Sequence, residues 1–286
     1  MKYLSVKLIY LLFIYFAADA LCAVEKEDPH YKERAQFYKW FLLFERPNLV
    51  KEDEYIRSIT SEDVVLDIYG NRSRGREGVH ALLNHVRNWN NSHHIKKIDT
   101  IKTTGELNLL SADVLYQNVF PSGARNNILI RYKVGFEYSD PHTPVFNTIQ
   151  LSEIKKQEGG GYVDAYNTNV AYSIVYAWLA MLSGETPVKQ FSSEYMEDKF
   201  RCSSLSSATE DDSLCLSAYH FNPKMYEIES VTITENVGKA IGFRVVFQPN
   251  DKNKKLTSLA TDWSLTVLDE GDYKVSSIKF LSTNTQ

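Results

Sequence analysis

A chain of 286 residues with 43% apolar and 24% charged residues has the composition of a globular protein and the length for two domains of roughly 120–140 residues each. Its formal net charge of −4 excludes the basic footprint of a nucleic-acid binder. The 18 tyrosines and 14 phenylalanines suit sheets with well-filled faces. At the N-terminus, MKYLSVKLIYLLFIYFAADALCAVEKED places Lys2 and Lys7 before an apolar run from Leu8 to Phe16, then small residues with cleavage points after Ala20, Cys22 or Ala23. This is the pattern of a secretory signal peptide over residues 1–23. The run is short for a ~30 Å bilayer, so secretion is expected rather than a membrane span. Beyond Cys22 only Cys202 and Cys215 remain, which in an oxidising compartment most simply pair with each other. Glycosylation sequons stand at Asn71 (NRS) and Asn90 (NNS).

The first element past the leader is YKERAQFYKWFLLFERP, where Phe37, Trp40, Phe41 and Phe44 recur at the spacing of one helical face and Pro47 disfavours continuation. VKEDEYIRSI predicts a second short helix. VVLDIYG alternates as a strand, and GNRSRG reads as a turn. REGVHALLNHVRN puts Val79, Leu82, Leu83 and Val86 on one helical stripe. HIKKIDTI, LLSADVLYQNVF, NILIRYKVGFEYSD, VFNTIQLSEIKK and GYVDAYNT then predict strands. Long alternation through Ile128, Ile130, Tyr132, Val134, Phe136 and Tyr138 predicts an antiparallel sheet packed on helices along one side.

The order then repeats. NVAYSIVYAWLAMLSGETP predicts a helix through Ala171, Ile174, Val175, Trp178, Leu179 and Leu182, stopped at Gly184 and Pro187. KQFSSEYMEDKFRC answers RSITSEDVVLDIYG, and YEIESVTITENVGKAIGFRVVFQ answers IKKIDTIKTTGELNLLSADVLYQ. TDWSLTVLDEGDYKVSSIKFL answers FNTIQLSEIKKQEGGGYVDAYN. Two copies of helix, helix, strand and antiparallel strands predict an α+β duplication with a boundary near Thr168 and almost no linker. The expected domains are residues 24–168 and 169–286.

YIRSITSEDVVLDIYGNRSRGREGVHALLNHV resembles the opening of the nuclear transport factor 2-like superfamily, which includes ketosteroid isomerases and polyketide cyclases. The resemblance covers Gln36 to about Asn167, with Tyr172–Leu281 as a divergent second copy that departs at SSLSSATEDDSLCLSAYHF. It implies two tandem cone-shaped domains, each with N-terminal helices packed on a curved antiparallel sheet around a cavity. It implies no single activity, because one fold hosts many sites. GNRSRGREG is not read as a phosphate loop, for it lacks the Lys-Ser/Thr pair. Gly75 is expected to take positive φ, with Arg72, Arg74 and Arg76 solvated around it.

The family's enzymes use a carboxylate, His or Tyr inside the cone as acid or base. Asp67, Tyr69, Tyr116, Tyr132, Asp164 and Tyr166 are the candidates here. Core packing is expected for Tyr132; solvent or nearby backbone for Asp67 and Asp164. No catalytic set is assigned. His93 and His94 are adjacent, and His80 and His85 lack i, i+4 spacing, so all four are expected on the surface and no metal or cofactor is read. No G-x-S-x-G, H-E-x-x-H or C-x-x-C motif occurs. Two functions remain open. The leading one is a secreted, non-enzymatic module for a small apolar ligand or a protein partner; the alternative is a secreted lyase or isomerase using one cone as its active site. A buried His or Asp opposite a Tyr favours the enzyme, and a cavity plugged by aromatics favours the module.

Overall fold

The computed structural model describes residues 30–48, 51–99, 101–104, 107–157, 159–204, 221–250, 256–267 and 273–281. The leader, Cys22 and Cys215 lie outside these. Cys202 is on a strand, its backbone opposite Ile278.

Helix α1 (Tyr31–Glu45) is buried on almost every side. Phe37, Trp40, Phe41 and Phe44, the expected stripe, enter one apolar core. Tyr31, Ala35 and Leu42, on the other side, enter a second core. Helix α2 (Glu52–Ile59) carries Glu52, Asp53 and Glu54 in its first turn, where acids complement the helix dipole, and buries Ile56 and Ile59. Strand β1 (Thr60–Ile68) buries Val64 and Leu66. Tyr69 (φ 51) and Gly70 (φ 85) reverse the chain into β2 (Asn71–Arg74), so the expected turn contains a short strand. Gly75 has φ 82 and opens α3 (Arg76–Val86), which buries Val79, Leu83 and Val86. Arg72 and Arg74 are exposed as expected. Arg76 is not simply solvated: its Nη2 donates to the Thr60 carbonyl at 2.9 Å, tying the helix start to β1.

Strands β3 (Asn90–Ile98), β4 (Lys102–Thr104), β5 (Leu107–Val119), β6 (Arg125–Asp140) and β7 (Thr143–Lys156) complete a seven-stranded sheet of order β2-β1-β7-β6-β5-β3, with β4 paired to β5. Register shifts fall in the β3–β5, β6–β7 and β1–β7 pairings, the irregularities that bend a sheet around a helix layer.

The second unit begins with α4 (Tyr166–Ser183), then α5 (Val188–Tyr195), β8 (Met196–Ser204), a 3₁₀ turn at Pro223–Met225, β9 (Tyr226–Val237), β10 (Ala240–Pro249), β11 (Leu259–Val267) and β12 (Tyr273–Leu281). Its sheet runs β8-β12-β11-β10-β9. The molecule is α+β with two mixed sheets. Each is antiparallel except where the strand after the helix pair lies beside the last strand: β1 parallel to β7, and β8 parallel to β12. The shared parallel pair aligns the units as α1 with α4, α2 with α5, β1 with β8, and β5-β6-β7 with β10-β11-β12.

That alignment corrects two expectations. GYVDAYNT is not a strand: the chain is irregular through Ala165, and α4 starts at Tyr166. Side chains rather than a ladder hold this stretch, with Gln117 Nε2 donating to the Gly161 carbonyl and Gln117 Oε1 accepting the Val163 N–H at 3.1 Å. The β11–β12 hairpin therefore answers β6–β7, one strand earlier than the spacing suggested.

Of the expected α4 stripe, Ala171, Ile174, Val175, Trp178 and Leu179 are buried and Leu182 is half-buried, and Trp178 sits 5.3–6.2 Å from the rings of Trp263, Phe221, Phe247 and Phe280. Aromatic side chains thus fill the space between α4 and the second sheet. No helix among the described residues is long and apolar enough to cross a membrane.

Candidate functional site: a cavity with a buried histidine

In the first unit the helices do not fill the bend of the sheet. A cavity of about 340 Å³ lies between α1, α3 and strands β3, β5 and β6, at the small end of the ~300–1,000 Å³ usual for ligand pockets. Strand alternation decides what faces it. On β3, Asn91 and His93 point inward, and on β5 Tyr116 and Asn118 do. The ladder sets His93 opposite Tyr116 and Asn91 beside Asn118. Trp40, Phe44, Trp89 and Phe120 supply aromatic wall, and Tyr69 and Tyr132 complete it. The lining carries no Asp, Glu, Lys or Arg among the described residues.

His93 is 5% exposed. Its ring is stacked between Phe41 (centroids 4.7 Å apart) and Tyr116 (4.9 Å). Nδ1 lies 3.2 Å from Glu45 Oε1, the last residue of α1, and the His93 backbone N–H donates to the same oxygen at 2.7 Å. Glu45 has no side-chain exposure, and Asn169 Nδ2 donates to its Oε1 at 3.0 Å and its Oε2 at 3.1 Å. A buried carboxylate persists only when several donors surround it, and these are the donors. Nε2 of His93 makes no hydrogen bond among the described residues. Tyr116 donates its hydroxyl to Asn91 Oδ1 at 2.7 Å, and burial pushes its pKa well above the ordinary range. Burial does the same to Tyr132. Asn118, 2% exposed, has an enclosed Oδ1 without a partner among the described residues.

No protein-family model matches the chain, and no curated protein matches it. Solved structures do. A nuclear transport factor 2-like superfamily protein from Salmonella enterica matches at 10% identity over 46% of this chain and 97% of its own, with a TM-score of 0.38. A ketosteroid isomerase-like protein from Erwinia carotovora atroseptica matches at 14% identity over 45% and 98%, with a TM-score of 0.36. A hexachlorocyclohexane dehydrochlorinase from Novosphingobium barchaimii matches at 16% identity over 46% and 92%, with a TM-score of 0.39. The fold is similar to that of nuclear transport factor 2-like proteins. At these identities the likeness concerns fold alone, and the chemistry rests on the residues around His93.

The candidates read from sequence separate. Tyr69, Tyr116 and Tyr132 line the cavity, and Tyr132 is also core, edge-on to Phe37 and Phe41. Asp67 faces the opposite side of the sheet, its Oδ1 accepting the Gly70 N–H at 3.1 Å. Asp164 is exposed and paired with Arg46. Tyr166 lies between the units, its hydroxyl bonded to that of Tyr273.

The histidines need correction. His80 is partly exposed beside Glu52, and His94 bonds Gln117 and the Val163 carbonyl on the outer face of β3. His93 is not a surface group, for it is buried against the cavity, whereas His85 is exposed as expected and also borders the cavity. Among the described residues no three His, Cys, Asp or Glu side chains gather as a metal site. Glu45 was missed altogether. Its signal was the last helical position before Arg46-Pro47, where the acid belongs to the apolar stripe's face by neither hydropathy nor charge pattern.

Proposed function

We propose that this protein binds a small, neutral, largely apolar molecule in the first-unit cavity and moves a proton on it, acting as a lyase or isomerase with His93 as general base. One observation carries the reading: a buried imidazole on a ligand-sized cavity has Nδ1 engaged by a carboxylate and Nε2 without a hydrogen-bond partner among the described residues. In that arrangement the carboxylate fixes the ring's orientation and tautomer and stabilises the imidazolium formed when Nε2 takes a proton. Neutrality of the ligand follows from the lining. A charged group entering a wall with no compensating ionic side chain loses its hydration with nothing in return. The enclosed Asn118 Oδ1 favours a ligand that brings one hydroxyl or N–H donor.

The experiment is incubation of the full chain with a panel of neutral one- and two-ring ketones, alcohols and halides, followed by product detection. Wild type is expected to convert at least one binder, and His93→Gln to bind it without conversion. Binding with equal background conversion by both proteins supports the second reading, a non-enzymatic module. That reading draws on the aromatic filling of the second unit.

We further propose a secreted protein with signal peptide 1–23, tandem domains 24–168 and 169–286, a Cys202–Cys215 disulfide, and glycans at Asn71 and Asn90, both exposed asparagines. N-terminal sequencing, thiol counting and mass before and after deglycosylation test these in turn. A mature N-terminus at Met1, two free thiols or an unchanged mass contradicts each respectively.

A further inference from the structure

We infer that Asn169, on the first helix of the second unit, is a positioning residue for the His93–Glu45 pair, so that the second unit completes the first unit's site. The inference rests on the reading of His93 as the reacting group.

Asn169 is 2% exposed. Besides both Glu45 oxygens, its Nδ2 reaches the backbone carbonyl of His93 at 3.0 Å. One amide nitrogen therefore bridges the end of α1 and strand β3, the two elements that must stay in register for Glu45 Oε1 to face His93 Nδ1. The choice of side chain is informative. An aspartate here brings a second carboxylate against Glu45 and no donor. A leucine of similar size leaves Glu45 Oε2 without the donor that Asn169 supplies, an unpaired buried oxygen. Asparagine supplies a neutral donor with two hydrogens.

The approach of α4 to this point is itself secured by the strand that carries the histidine. Ser92, facing away from the cavity, donates its hydroxyl to the Val163 carbonyl at 2.6 Å and accepts the Ala165 N–H at 3.0 Å. The Asn169 N–H closes the first turn of α4 on the Ala165 carbonyl at 2.8 Å. The outer face of β3 thus grips the connection between the units, while Asn169 reaches the inner face one helical turn later. Trp178 and its aromatic neighbours pack inside the second unit, and this contact gives that unit a role in the first unit's site.

The test reads the imidazole tautomer of His93 in the full chain labelled with ¹⁵N-histidine, at mildly alkaline pH, with the signal assigned by its loss in His93→Gln. Wild type is expected to show the single Nδ1–H tautomer that hydrogen bonding to Glu45 selects. Asn169→Leu and Asn169→Ala are each expected to show a mixture of Nδ1–H and Nε2–H forms, and Asn169→Ser, which keeps a donor, to regain part of the Nδ1–H signal. Thermal unfolding of each variant reports folding separately, and either of the first two that folds suffices. A purely structural role lowers the melting temperature and leaves the tautomer unchanged; that result overturns the inference. Wild type lacking the Nδ1–H tautomer overturns the His93–Glu45 reading itself, an outcome visible before any Asn169 variant is made.

Discussion

Glu45 is an acid with no solvent exposure whose oxygens accept from His93 and from Asn169. Polar atoms that structural needs alone would replace with apolar ones mark the site, and each carries a distinct expectation. For a general base, His93→Gln is expected to lower turnover by about 10²–10⁴-fold while leaving ligand binding nearly intact, read from kcat and KM on whichever panel member is converted. Asn118 tests the opposite balance. Removing an enclosed, unpartnered acceptor relieves a desolvation penalty of about 1–3 kcal/mol, so Asn118→Leu is expected to raise the melting temperature and weaken donor-bearing ligands. A lower melting temperature with unchanged affinity contradicts the assignment. Glu33 is a second buried acid, remote from the cavity lining. Burial works to raise its pKa, but hydrogen bonds from His30 and Tyr138 prevail and hold it below the ordinary 4.5. A lowered carboxyl pKa stabilises the fold above the unfolded value and loses that contribution as pH falls through the folded value. Melting temperature is therefore expected to fall more steeply below about pH 4.5 in wild type than in Glu33→Gln; parallel curves contradict this.

At the scale of elements, the joint between β1 and α3 shows how local chemistry sets architecture. Gly75 combines φ 82 with ψ 168, backbone that side-chain-bearing residues rarely adopt. A Cβ placed there meets nothing closer than the Glu62 carbonyl at 3.7 Å. The cost of Gly75→Ala is thus conformational rather than steric, about 1–3 kcal/mol, measurable by urea denaturation; an unchanged midpoint contradicts it. This joint was legible in the sequence, as were the α1 and α4 stripes, because glycine placement and helical periodicity are local signals. The site was only partly legible. Tyr69, Tyr116 and Tyr132 were named as cavity candidates from the family resemblance, and all three line the cavity. His93 was set on the surface because adjacent histidines point opposite ways, which holds, yet the inward one meets Glu45 from 48 residues earlier in the chain. No local pattern encodes that meeting. GYVDAYNT was misread for a related reason: its aromatic alternation is strand-like, but the polar side chains of β3 and β5 capture its backbone before a ladder can.

Across the whole molecule, α1 belongs to both cores, and its second face packs on α4. Tyr31 donates to the Pro223 carbonyl at 2.8 Å, and Lys39 pairs with Glu194 at 2.7 Å, both across the two units. Unfolding the second unit alone uncovers Tyr31, Ala35 and Leu42 and withdraws Asn169 from Glu45. One cooperative melting transition is therefore expected by calorimetry, and two resolved transitions contradict such coupling. It also bears on the proposed disulfide: reduction is expected to lower stability of the whole rather than loosen one half. The central claim is that the first cavity transfers protons through His93. Its most direct measurement is exchange of carbon-bound hydrogen for deuterium in D₂O, followed by NMR on neutral carbonyl compounds shown to bind. Wild type is expected to accelerate exchange at the carbon beside the carbonyl of at least one binder, and His93→Gln to reduce it to the buffer rate. Several bound compounds with exchange at the buffer rate in wild type would contradict the claim.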